Sequence, residues 1–306
     1  MQSHEFRDFD EFADSVRGVD CRMMRHNPKN HVWSIADVDL GGPKVQFGQL
    51  GSGNIVEGQS AGGAVILYMP LTETCEYTFN GLTVKKDEFA ILEPDSDVAF
   101  STKIEHDFCM AVFPVGHFAD LQESERPTLR VIRDNPERAR KFRQIVRQIL
   151  DAASACSDFE STLAAKYASA ALVELASMVV AHEPATELFK TGRPRIPRKE
   201  IIDRTMALLE TRELEPVNIR ELATAVGVSE RTLRRVFIEY FGIGPSRYLQ
   251  LKRLHLINRV LRAADPELDS VTSILAQHGE WEFGRVAARY HRLFGELPSV
   301  TLQASR

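Results

Sequence analysis

Hydrophobic and polar positions along this chain follow two periods, and the switch between them divides it. From Val32 to Val115 short apolar runs alternate with glycine, proline and acidic turns, the texture of β-strands. The runs predict strands at Val45–Leu50, Gly63–Met69, Cys75–Phe79, Leu82–Val84, Phe89–Leu92, Asp97–Ser101 and Phe108–Phe113. Asn80-Gly81 between two of them is a strong two-residue hairpin signal, because both residues tolerate positive φ. Short strands at this spacing predict a small barrel or sandwich. Residues 1 to about 20 read as a polar lead-in holding a short helix at Phe9 to Val16. From Pro136 the period becomes helical, giving amphipathic helices over Arg138–Leu150 and about Phe159–Ala181. These helices either cover the open face of the barrel or pair with a second copy. Residues 184–198, with Pro184, Gly192, Pro194 and Pro197, read as a linker between residues 1–183 and 199–306.

Beyond the linker the helical period holds to the end. A helix over Lys199–Arg212 leads to a two-helix unit at about 218–242, in which Asn218 and Ser229 are N-caps and Gly227 ends the first helix. In its second helix Leu233, Val236 and Phe237 face inward, while Arg231, Arg234 and Arg235 share the outer side. A long helix, capped at Ser246, runs to about Ala264. A second unit follows at about 270–295, with Arg285, Arg289 and Arg292 forming one basic stripe. The first unit ends in FGIGPSRYL from Phe241 and the second in FGELPSVTL from Phe294, an internal repeat. A helix–turn–helix whose second helix is basic on its outer face suits the DNA major groove; a surface helical hairpin with solvated arginines is the alternative.

Charge sharpens that choice. The chain of 306 residues has a formal net charge of −5. Residues 193–306 hold 19 Lys+Arg against 14 Asp+Glu, a net of +5, and residues 1–192 hold 19 against 29, a net of −10. One half is thus suited to a polyanion and the other is not. No apolar run approaches the roughly 20 residues of a membrane span, and the acidic, polar N-terminus is unlike a secretory signal. Cys21, Cys75, Cys109 and Cys156 are scattered, which predicts free thiols in a reducing compartment.

Catalytic chemistry finds no footing. A metal-holding barrel enzyme needs clustered ligands, yet His26, His31, His106 and His117 are isolated, no HxH occurs, and they read as surface side chains. Gly51-Ser52-Gly53 lacks the following helix of a phosphate loop and reads as a turn. No catalytic residue, metal or cofactor is expected. The barrel aromatics Phe47, Tyr68, Tyr77, Phe79, Phe89 and Phe100 are candidates to line a ligand cavity, if the interior is not solid core.

Residues 199–302 resemble the DNA-binding domain of the AraC/XylS family of bacterial transcription regulators. The resemblance rests on Glu221-Leu222-Ala223, Gly227 to Leu233, Phe237, Phe241-Gly242, Pro245, Tyr248-Leu249, Arg253-Leu254, Phe294-Gly295 and Pro298-Ser299. Trp281 to Ser299 also resembles a subgroup that includes ethanolamine-type regulators, which does not identify the effector. The resemblance implies an α+β fold class: an N-terminal small β-barrel, cupin-like, with dimerisation helices, and a C-terminal all-α domain of two helix–turn–helix units joined by a long helix. It implies that the long helix sets both recognition helices on one face of duplex operator DNA, in successive major grooves. It puts Ser229, Arg231, Thr232, Arg234 and Arg235 at the first unit's DNA-contact positions, Ser229 chiefly as the cap. The second unit departs from the pattern, since Glu280 follows Gly279 where an aromatic or aliphatic residue is usual, and Ala288 stands where an arginine often reads bases. The first unit is therefore expected to read sequence, and Arg285, Arg289 and Arg292 to anchor on phosphate. The implied protein is a cytoplasmic, homodimeric activator, switched by a small-molecule effector and working with RNA polymerase. Its rivals are a barrel enzyme fused to a DNA-binding module, and a DNA-binding protein whose N-terminal half only dimerises or binds a protein.

Overall fold

The computed structural model describes residues 2–6, 8–26, 33–51, 53–72, 77–103, 105–118, 129–133, 136–181, 196–211 and 217–304. The chain forms two compact units, Met1–Met23 with Lys29–Phe189, and Met24–Pro28 with Lys190–Arg306. Most of the linker expected at 184–198 lies outside the described residues, as do His31, Ser52 and Cys75.

Strands β1 (Gln2–Phe6), β2 (Val19–Arg25), β3 (Trp33–Asp39), β4 (Lys44–Leu50), β5 (Asn54–Ser60), β6 (Ala64–Pro70), β7 (Tyr77–Phe79), β8 (Leu82–Val84), β9 (Phe89–Leu92), β10 (Asp97–Thr102), β11 (His106–Pro114) and β12 (Leu129–Ile132) form two sheets. One has seven strands in the order β1-β3-β4-β11-β6-β9-β12; the other has five, β2-β5-β10-β7-β8. Of the small barrel or sandwich expected, the described strands give two sheets and do not close into a single ring, which corrects the barrel reading. The polar lead-in is also partly a strand, since β1 pairs antiparallel with β3, and α1 (Phe9–Asp14) follows, capped by the Asp8 carboxylate. Asn80 (φ 46°) and Gly81 (φ 79°) both sit left-handed in the β7–β8 hairpin, as the Asn-Gly pair predicts.

Two helices, α2 (Pro136–Ala155) and α3 (Leu163–Val180), cover one face of the seven-stranded sheet. The period of two decides which side chains meet them. In β11 Cys109, Ala111 and Phe113 share the apolar core with Phe142, Val146 and Leu172, whereas Phe108 and Met110 point to the other side. Gly48 on the paired strand is needed there, because a Cβ at that position would overlap the ring of Phe108. Length and composition alone would let α3 cross a membrane, which corrects the reading that no run comes near that threshold. Here it packs Ala165, Leu172, Ala176 and Val179 into the core and carries Lys166 and Glu174.

The second unit is helical: α4 (Arg198–Thr211), α5 (Ile219–Val226), α6 (Glu230–Phe241), α7 (Pro245–Ala263), α8 (Val271–Gln277), α9 (Phe283–Phe294) and α10 (Pro298–Gln303). The long helix begins two residues earlier than a cap at Ser246 suggests. Its N-cap is Gly244, and Pro245 takes the first helical position, where a missing N–H costs nothing. The repeated FGxxP endings have one structural meaning. Gly242 (φ 69°) and Gly295 (φ 82°) each terminate a helix in the left-handed region, and Pro245 and Pro298 each start the next.

Candidate nucleic-acid interface

The α5–α6 unit is built by local signals that agree. Asn218 accepts from the Arg220 amide at 2.9 Å and opens α5; Gly227 (φ 80°) closes it. Ser229 accepts from the Thr232 amide at 3.1 Å, and the two hydroxyls lie 2.9 Å apart. Both side chains are thus engaged in the cap. Leu233, Val236 and Phe237 are fully buried, and the Phe237, Phe241 and Tyr248 rings pack at 4.9–5.4 Å, fixing α6 on α7. With its inner face so held, α6 presents Arg231, Arg234 and Arg235 exposed on the other. Arg235 already reaches Glu239 at 3.7 Å. Arg231 and Arg234 form no ion pair among the described residues, so their forks are available to bases or phosphates.

The α8–α9 unit has a longer turn. Ser270 caps α8, accepting from the Ser273 amide at 3.1 Å. Gly279 (φ 72°) follows α8, and Glu280 N–H donates back to Leu275 O at 2.9 Å. Trp281 then stands 73% exposed just before α9. The Tyr290 hydroxyl is buried between Asn258 Nδ2 of α7 at 2.6 Å and Thr301 Oγ1 of α10 at 2.7 Å, which fixes the orientation of α9. Burial holds the Tyr290 phenol above its ordinary pKa although both partners oppose the shift.

The three arginines of α9 differ in their engagement. Arg285 Nη1 donates to both carboxylate oxygens of Glu282, at 2.8 and 3.0 Å, on a highly exposed surface. Arg289 reaches Glu280 at 3.7 Å, and the same carboxylate receives Arg253 of α7 at 3.5 Å. The departure at Glu280 is therefore a bridge between α7 and α9. Arg292 is exposed and forms no ion pair among the described residues. Arg247, on the first turn of α7, belongs to this group as well. Its pKa is lowered by partial burial first, and then by Arg292 and Arg289. Sequence spacing could not show that this residue of α7 lies in the field of the α9 arginines.

Comparison with known proteins gives this geometry a family. Residues 222–304 match the model of a helix-turn-helix domain. The second XylDLEGF operon transcriptional activator of Pseudomonas putida is 27% identical over 124 residues, 39% of this chain and 79% of that protein. The C-terminal unit is an AraC/XylS-type helix–turn–helix domain. The transcriptional regulator GbdR of Pseudomonas aeruginosa is 33% identical over 115 residues, which is 38% of this chain and 29% of GbdR. Against this and most of the related activators the chain thus spans about a third of their length. The crystal structure of the AraC-like transcriptional activator CuxR aligns over 83% of this chain and 94% of its own, at 12% identity and a TM-score of 0.43.

The first unit carries an interior feature of its own. A narrow apolar cavity of about 50 Å³ is lined by Tyr68, Phe79, Phe100, Phe108, Met23 and Met110, among others. Of the six aromatic candidates, Tyr68, Phe79 and Phe100 line it, and Tyr77 packs against them, edge-on to Tyr68 at 5.7 Å and tilted against Phe100 at 5.8 Å. Phe47 and Phe89 face the helices instead, Phe89 meeting Phe142 edge-on at 5.2 Å. Their strand parity sends them there. His106 corrects the expectation of surface histidines: it is 2% exposed, with Nε2 3.3 Å from the Tyr68 hydroxyl and its ring edge-on to Tyr77. Cys21 also lines the cavity, its thiol pushed up to about 12 by burial and then by Asp20 and Asp14. A thiol so strongly protonated is no nucleophile. Among the described residues no group of three His, Cys, Asp or Glu side chains is placed to hold a metal.

Proposed function

We propose that this chain is an effector-responsive transcription activator that reads specific duplex DNA through α6 and anchors through α9. The observation that carries the reading is the exposed outer face of α6, where Arg231 and Arg234 have no carboxylate to satisfy them among the described residues. Planar guanidinium forks on a rigid helix match guanine O6 and N7, each good pair giving about 1–3 kcal/mol of discrimination. At α9 the same side chains are partly occupied: Arg285 by Glu282 and Arg289 by Glu280. Their remaining role, with Arg292 and Arg247, is phosphate attraction, which adds affinity without sequence information. The α7 helix of 19 residues is about 28 Å long at 1.5 Å per residue. That is close to the roughly 34 Å between successive major grooves, which supports engagement of two grooves on one DNA face.

In this reading the first unit is a cupin-like sensor. Its apolar cavity receives a small organic effector, with Tyr68 and His106 as the polar end. At about 50 Å³ the cavity is smaller than the roughly 150 Å³ that accommodates benzene. Entry therefore displaces adaptable side chains, and Met23 and Met110 suit that role. The homodimer forms through α3, whose Leu163 (63% exposed), Tyr167 (69%) and Met178 (43%) recur on one helical stripe. The protein acts in the cytoplasm and on RNA polymerase, as its family implies, and performs no catalysis.

Methylation protection and phosphate ethylation interference on a selected duplex together test the DNA geometry. The expected result is protection of guanine N7 in the groove read by α6 and interference at backbone phosphates about 10 base pairs away, where α9 anchors. Phosphate interference confined to the α6 groove contradicts the role given to α9.

A further inference from the structure

A second pocket in the first unit lies on the polar side of α2, away from the apolar cavity. It measures about 480 Å³ and is lined by Lys86, Asp87, Arg140, Arg143, Arg147, Gln144 and Gln148. Positions 140, 143, 144, 147 and 148 recur on one face of α2, so the helix contributes three guanidinium groups and two amides to a single concavity. The β8–β9 turn supplies the opposite wall, and Arg143 ties that wall in place. Its guanidinium donates to Asp87 Oδ1 at 2.9 Å, to Pro70 O at 3.2 Å and to Lys86 O.

We infer that this pocket binds a small anion carrying two or more negative charges, of phosphate or carboxylate chemistry. Four cations line it against one carboxylate, and that carboxylate, Asp87, is engaged by Arg143. Arg140 and Arg147 are exposed and form no ion pair among the described residues. Arg143 is 6% exposed, and its Nε is buried with no hydrogen-bond partner among them. Buried donors without partners are uncommon unless a ligand or water completes them. The excess of positive charge is local, since residues 1–192 are acidic overall with a net charge of −10. Such a patch is kept against the surrounding field rather than produced by it. The volume falls within the range of small-molecule sites, and guanidinium forks with amides between them are suited to planar or tetrahedral oxyanions.

Isothermal titration of the full-length protein with inorganic pyrophosphate and, separately, with citrate tests this without DNA. Failure here therefore leaves the DNA-binding reading untouched. Saturable binding of one or both is expected, weakened about tenfold or more in Arg140→Ala/Arg147→Ala, as befits the loss of charge-assisted hydrogen bonds. Both arginines are exposed, so the fold is expected to persist. Lys141→Ala, on the same helix but outside the pocket, is expected to bind normally. Tighter pyrophosphate binding assigns phosphate chemistry, and tighter citrate binding assigns carboxylate chemistry. No saturation up to about 10 mM of either anion overturns the inference, as does an equal loss in Lys141→Ala, which would indicate diffuse charge attraction. Weakened operator binding in the double variant, without small-anion binding, overturns it too and assigns the face to nucleic acid.

Discussion

The division of labour proposed for α6 and α9 can be measured as a difference in salt dependence. Each phosphate contact adds about 0.9 to the slope of log K against log salt. Arg292 is exposed and without an ion pair among the described residues, so Arg292→Ala should lower that slope by about 0.9. Over a fourfold salt change, from 50 to 200 mM, the variant should lose about 3.5-fold less affinity than the parent protein. Base preference should not move. Arg231→Ala should act differently, costing about 1–3 kcal/mol at one base pair and relaxing discrimination there. Arg285→Ala provides the internal comparison. Its side chain already holds Glu282 at 2.8 Å, so its charge is partly compensated before DNA arrives and its removal should alter the slope less than Arg292→Ala does. Fluorescence anisotropy on a duplex series with single substitutions, at four salt concentrations, separates the two quantities. The reasoning is refuted if Arg292→Ala changes base preference at constant slope while Arg231→Ala weakens every duplex equally.

Three further outcomes follow from particular contacts. If the proposed homodimer forms through α3, the parent protein should scatter light as a dimer and Tyr167→Asp on the exposed stripe as a monomer without a lower Tm; a monomeric parent or an unchanged mass would contradict that interface. Gly48→Ala should destabilise the first unit by about 1–3 kcal/mol in chemical denaturation, because the buried Phe108 ring occupies the space a methyl group needs. Tyr290→Phe should cost about 1–3 kcal/mol, since Asn258 and Thr301 both lose a buried partner. Specific DNA affinity should fall with it while the slope for salt stays constant, and an unaffected melting curve would contradict the role assigned to that hydroxyl.

The helical half was the more legible in sequence, and the reason is physical. Its elements carry their own boundary signals: the Asn218 and Ser229 caps, the left-handed glycines at 227, 242 and 295, and the prolines at 245 and 298. Strands lack such punctuation. Gln2–Phe6 is polar and Asn54–Ser60 is polar in its second half, so neither stands out, though both are held by backbone pairing with β3 and β10. The facing of Phe47 and Phe89 followed from the period of two, but only once the helices were known to cover that side of the sheet. At the interface, spacing alone grouped Arg231, Arg234 and Arg235. The bridge made by Glu280 and the approach of Arg247 to α9 join residues far apart in sequence, and only the packed structure brings them together.

Selection of bound sequences from a random duplex pool by the full-length protein tests the central claim most directly. The account predicts enrichment of one defined motif, read by α6, in a duplex that must extend about one helical turn to one side of it without base preference there. Uniform recovery of all sequences, with strongly salt-dependent binding, would mean that the arginines of both helices grip only phosphate and would contradict it.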